Sequence, residues 1–171
     1  MFQFQNTVSI ADITNIVLLL VAIIGIFFTY YQIKQGFKTQ RAVFFKELYL
    51  TLFSDEVIRK AFYQIEYDRF VYDASFHGSS SEKTIDRLLS FIDLVCEIYE
   101  QKVITKREMS FFKYEIIRVY MNDNIQNYLK FLKDFYDLVE IGTIPFSSFI
   151  SYCEKEAKKS IASLDHSRAS S

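Results

Sequence analysis

The sequence predicts an all-α protein: one N-terminal transmembrane helix, extended beyond the bilayer, followed by a cytoplasmic bundle of about five helices. Three observations predict it. First, 18 Phe and 12 Tyr stand against 4 Gly and 1 Pro in 171 residues, the reverse of the turn-rich composition that short-stranded β folds and low-complexity linkers require. Second, no acid or base lies between Asp12 and Lys34. Third, beyond that run the apolar residues recur at helical spacing, with no strand alternation and no internal repeat.

The uncharged run, residues 13–33, reads ITNIVLLLVAIIGIFFTYYQI. A bilayer core about 30 Å thick needs about 20 helical residues, and this segment supplies them. A buried core helix would be a plausible reading of a shorter run, but not of one this long with polar ends. Tyr30 and Tyr31 close it, where amphipathic rings favour the headgroup layer. Residues 1–12 carry no Lys or Arg, whereas Lys34, Lys38, Arg41 and Lys46 follow the run, so the short N-terminus is expected outside and the rest in the cytoplasm. The uncharged start and the ending FFTYYQ lack the features of a cleaved signal peptide, so the anchor is expected to stay attached. Lys34, Lys38 and Arg41 set this topology and could also meet anionic lipid headgroups. Within the run Ala22, Gly25 and Thr29 share one helix face, a small-residue stripe of the kind along which membrane helices associate.

Residues 34–53 keep apolar positions near helical spacing and are read as a juxtamembrane stalk. The bundle is expected over 54–163. Ser54 is a suitable N-cap for a second helix with Ile58, Ala61, Phe62, Ile65 and Phe70 on its buried stripe. The stretch DASFHGSSS, 73–81, interrupts it. A third helix, about 81–102, is the clearest amphipathic one, with Ile85, Leu88, Leu89, Ile92, Val95, Cys96 and Tyr99 inward. Thr105 and Glu108 have capping-box spacing and start a fourth, burying Met109, Phe112, Ile116, Ile117 and Tyr120. Asn122-Asp123-Asn124 interrupts that helix. A fifth carries Ile125, Tyr128, Leu129, Leu132, Phe135 and Tyr136, and a last one, with Pro145 in its first turn, runs over about 146–160. Residues 164–171 read as a polar tail.

Twenty basic residues balance 21 acids, so no charge excess points to non-specific nucleic-acid binding. Cys96 and Cys153 are too far apart for a CxxC and too few for a disulfide scaffold; free, buried thiols are expected. There is no HExxH, no P-loop and no GxGxxG, so no catalytic residue, metal or cofactor is assigned. Arg-x4-His, an element of some helical ribonucleases, is also missing: Tyr72 stands five residues before His77 and Ile161 five before His166. Glu66 with Asp68, and Asp93 with Glu97, are acid pairs whose ordinary reading is salt bridging to Arg59, Arg69, Arg87 or Arg118. Asp86 and Arg87 are read as a pair inside the bundle. The most suggestive loop is His77, Gly78, Ser79, Ser80 and Ser81 with Lys83. Backbone N–H groups at a helix start, hydroxyls and a nearby base could hold a phosphate-like anion. The plain alternative is a serine N-cap, because Ser79 and Glu82 also have capping-box spacing. The aromatic surplus exceeds what one core needs and points to oligomerisation.

The stretch TIDRLLSFIDLVCEIYEQKVITKREMSFF, an amphipathic helix followed by a turn and a capped helix, resembles small bacterial inner-membrane proteins with one N-terminal span and a helical cytoplasmic domain. Similar proteins accompany CRISPR and other antiphage systems. The resemblance implies a self-associating, non-enzymatic membrane effector or sensor, pore-like or responsive to a nucleotide-type anion. Its implied partners are membrane lipid, further copies of itself, and a nucleotide second messenger or a defence-system protein. A membrane scaffold with protein partners only, and an enzyme of unfamiliar type using Glu66, Asp68, His77 or Arg118, are the alternatives.

Overall fold

A computed structural model describes residues 10–169 apart from 141 and 143, and the side chains of 12 and of 160 onward lie outside the described set. Its order is α1 (Ile10–Ser54), α2 (Glu56–Glu66), α3 (Ser80–Glu100), α4 (Lys106–Met109), α5 (Lys113–Tyr120), α6 (Asp123–Leu138) and α7 (Ser147–Ala169), with no strand among the described residues. The protein is all-α, as its composition predicts.

The chain divides into two compact units, residues 1–44 and 45–171. In the first, the helix is exposed on every side, including Leu18, Leu20, Ile24, Phe27 and Phe28. The helix Ile13–Ser54 is long and apolar enough to cross a membrane, and none of its most apolar window is buried. Surface of that composition is unfavourable in water at about 25 cal/mol per Å², and a bilayer removes the penalty. The hydroxyls of Thr14 and Thr29 donate to the carbonyls of Ile10 and Gly25, at 2.9 and 2.8 Å, which satisfies them without water.

In the second unit α3 is the central element. It packs against α2 on one side and α7 on the other, and α5 closes the ring by touching both α2 and α7. Ile85, Leu88, Leu89, Ile92, Val95 and Cys96 of α3 are buried, the stripe its periodicity predicts, and they meet Ala61 and Ile65 of α2, Ile116 and Val119 of α5, and Phe149 and Cys153 of α7 in one core. Both cysteines are free and buried. Burial pushes the Cys96 and Cys153 thiols upward, so both are neutral.

Several boundaries differ from the sequence reading, each for a local reason. Ser54 ends α1 instead of capping α2; Asp55 is the cap, its carboxylate accepting from the N–H groups of Val57 and Ile58 at 2.9 and 3.2 Å. The expected fourth helix is two. The Thr105–Glu108 capping box forms, but α4 stops after one turn and α5 restarts at Lys113. The break seats Phe112 in the core and Phe111 against Phe45 and Tyr49, with centroids 5.7 and 6.4 Å apart. On α6 only Ile125, Tyr128 and Leu129 are buried, whereas Phe135, expected inside, is 46 % exposed. Pro145 lies in the turn before α7, and Phe146 follows with φ near 60°. The α7 backbone continues past residue 160 to Ala169, where a tail was expected.

Candidate functional site

Two gatherings of polar groups in the second unit hold the site residues considered from the sequence. The first is the segment from Tyr67 to Ser79. Asn124, in the first turn of α6, pins it twice: its side-chain carbonyl accepts from the Tyr72 N–H at 3.1 Å, and its amide donates to the Phe70 carbonyl at 2.9 Å. Phe76 is buried there against Phe70, Tyr72 and Tyr128, with centroids 5.0 to 5.5 Å apart. These anchors deliver His77 to the surface beside the start of α3.

His77 sits in a hydrogen-bonded series. Its Nδ1 donates to Glu82 Oε1 at 2.9 Å and its Nε2 accepts from the Tyr72 hydroxyl at 3.1 Å. This tautomer follows from the carboxylate, which can only accept. The imidazole lies on the ring of Phe131, with centroids 4.4 Å apart. Gly78 adopts φ 77°, a backbone region that suits glycine, and its N–H donates to Glu82 Oε2 at 2.6 Å. Ser79 is the N-cap of α3, its hydroxyl accepting from the N–H groups of Ser81 and Glu82, both at 3.1 Å.

The loop therefore already holds an anion of its own. Glu82 takes the Gly78 N–H and the His77 N–H, and those two hydrogen bonds, the backbone bond being the larger effect, hold its carboxyl below the usual glutamate range. Ser79 occupies the Ser81 and Glu82 N–H groups. Ser80 turns its carbonyl to the Thr84 hydroxyl, and Lys83 is exposed. A phosphate-like ligand at this helix start would have to displace Glu82. The Tyr72–His77–Glu82 order resembles a nucleophile, base and orienting acid, but burial, with the Glu82 charge second, raises the Tyr72 phenol above its ordinary range. A nucleophile needs the opposite shift.

Nearly two turns into α3, Asp86 accepts from the Tyr128 hydroxyl at 2.7 Å. Burial raises its carboxyl, an effect the Tyr128 hydrogen bond only partly offsets. The expected Asp86–Arg87 pair does not form: Arg87 reaches the Asp55 cap of α2.

The second gathering joins three of the four residues of the enzyme alternative. Arg118 of α5 donates to Glu66 Oε2 at 3.1 Å and to the Glu66 carbonyl at 2.8 Å, and lies 3.7 Å from Asp68. The Tyr114 hydroxyl donates to Glu66 Oε1 at 2.7 Å. Both Glu66 oxygens are thus engaged and tie the end of α2 to α5, and His77 belongs to the other gathering. Asp93 and Glu97 do not act as a pair either. Asp93 accepts from the Phe149 N–H at 2.8 Å in the first turn of α7, and Glu97 accepts from the Gln101 amide at 3.1 Å. Among the described residues, no group of three or more His, Cys, Asp or Glu is placed to hold a metal ion.

In the first unit, Lys34, Lys38 and Arg41 are exposed on α1, and so are Ala22, Gly25 and Thr29. A Cβ at Gly25 would meet no described atom within 4 Å.

The fold and these sites define a class in coarse terms: a helical domain carried by one apolar helix long enough to span a bilayer. No protein-family model matches the chain, and no curated protein or solved structure is similar to it.

Proposed function

We propose that the chain is a single-span membrane protein whose helical domain works by association, as a non-enzymatic effector or sensor on the cytoplasmic side of the bacterial inner membrane. The apolar α1 helix, uncovered along its most apolar window, is the observation that carries this reading. The basic residues Lys34, Lys38 and Arg41 directly after the apolar run favour the cytoplasmic side. Against catalysis, the polar groups that gather in the second unit satisfy one another: Glu82 serves its own loop, Glu66 clamps α2 to α5, and Asp93 serves α7. Beside them stands exposed apolar surface, on which association usually rests.

The test is the behaviour of the full chain in membranes. Alkaline carbonate should leave it in the pellet, a thiol reagent that cannot cross the bilayer should label an engineered cysteine at Ser9 but not one at Lys60, and light scattering in detergent should give more than one copy. Extraction by carbonate would overturn the anchor, reversed labelling the orientation, and a strict monomer the association.

A further inference from the structure

The distal half of α6 carries apolar surface that no described residue covers. Phe131, Phe135 and Leu138, spaced i, i+4, i+7, share one face and are 40, 46 and 81 % exposed. Phe131 and Phe135 are stacked with centroids 6.4 Å apart, and His77, fixed by Glu82 and Tyr72, lies on Phe131. The stripe is therefore a preset surface, and setting it beforehand lowers the ordering cost of association.

Charge along its edge distinguishes the candidate covers. At about 100° per residue, Lys130, Asp134 and Asp137 fall on one flank, base first and acids after, while the other flank turns into the core. One base against two acids repels an anionic lipid surface. A parallel second copy would leave each Lys130 facing the uncharged flank. An antiparallel copy brings Lys130 opposite Asp134 and Asp137, and the two-fold axis makes that pairing twice.

We infer that Phe131, Phe135 and Leu138 form a homodimer surface on which α6 packs antiparallel against α6 of a second copy, with Lys130 of each facing Asp134 and Asp137 of the other. This rests on the self-association proposed above and assigns it a surface. The helices cross between Phe131 and Phe135, so each Phe131 packs on the other copy's Phe135. The contact is closed, which gives a dimer and no fibre.

Full-length protein in detergent and in nanodiscs tests it, with single cysteines at two positions and the buried Cys96 and Cys153 left in place. On mild oxidation Asp134→Cys, near the axis, should give a disulfide-linked dimer. Leu138→Cys should not, because an antiparallel crossing holds its two copies roughly 15 Å apart along the helix. Phe135→Asp should shift the light-scattering mass from dimer to monomer, with an unchanged helical spectrum. Lys130→Glu should weaken the dimer at least about tenfold at low salt and less at high salt. A multimer in which Leu138→Cys cross-links, or Asp134→Cys does not, overturns the α6 surface and leaves self-association standing. A monomer in both media overturns both and assigns the stripe to lipid.

Discussion

Asp93 offers the sharpest test of how the domain is held together, because one carboxylate of α3 serves the start of α7 across 56 residues of sequence. The Phe149 N–H it accepts belongs to the first turn of α7, where backbone donors have no partner within the helix. Phe149 itself is fully buried, edge-on to Tyr120 at 5.7 Å, and Asp93 is half-buried, so water replaces the lost acceptor only in part. Asp93→Ala removes a part-buried hydrogen bond to a charged group, at a cost of about 2 kcal/mol. In a unit of this size that is roughly 8 °C of melting temperature, at about 4 °C per kcal/mol. Asp93→Asn keeps an acceptor and loses the charge near the positive helix end, so about half the loss is expected.

Cys96 on α3 and Cys153 on α7 are both buried, which makes a thiol-reactive dye a direct reporter of the opening of this pair of helices. Heating the detergent-solubilised protein with such a dye should show Asp93→Ala opening first, Asp93→Asn between it and the wild type, and the wild type last. Dye uptake by Asp93→Ala at the wild-type temperature would refute the reasoning. An Asp93→Asn variant as damaged as Asp93→Ala would show that charge, and not the hydrogen bond, does the holding.

Glu115 predicts a pH effect. Its Oε2 is buried with no hydrogen-bond partner, beside Leu52, Phe91 and Phe112, and burial raises its carboxyl above the ordinary range. The folded state therefore binds this proton more tightly than the unfolded chain, so stability is full below the ordinary glutamate range and falls as pH rises through the raised value. Glu115→Met should raise the melting temperature at pH 7 and flatten that slope; a melting temperature lower than wild type at pH 7 would sink the idea. Glu82→Ala should free the Gly78 and His77 donors, so that added phosphate raises its melting temperature but not that of the wild type; equal responses would show that Glu82 does not occupy the anion position. Gly78→Ala meets no atom within 4 Å, so its cost should be that of the left-handed backbone alone, about 1 kcal/mol, read by the same melting assay.

Local signals were legible in the sequence wherever the partners lie within a few residues. The Thr105–Glu108 box formed as spaced, and the buried stripe of α3 is the periodic one. At the His77 loop the capping-box spacing held a further fact, since the same Glu82 reaches back past the cap to Gly78 and His77. Tyr72 was not legible as the other partner of His77, because Asn124, more than 50 residues on, sets its backbone. The α4–α5 break was equally hidden: it exists so that Phe111 can meet Phe45 and Tyr49 while Phe112 enters the core, contacts that span more than 60 residues. Asp93 shows the same limit. Its spacing to Glu97 suggests an acid pair, but the residue that decides its role is Phe149.

The apolar surfaces of α1 and of distal α6 are both exposed among the described residues, and they differ in a way that assigns them different covers. The α1 surface is apolar all round and free of charge over more than twenty residues, so it fits a solvent that can accept no charge from any direction. The α6 stripe is narrow, and its flank carries one base, Lys130, followed by two acids, Asp134 and Asp137; lipid tails would strand those charges, whereas a protein surface can pair them. The sequence counted Phe135 as core because helical periodicity reports only that a face is apolar, not whose surface covers it. The expectation of a buried face and the observation of an exposed one agree if the cover comes from a second chain.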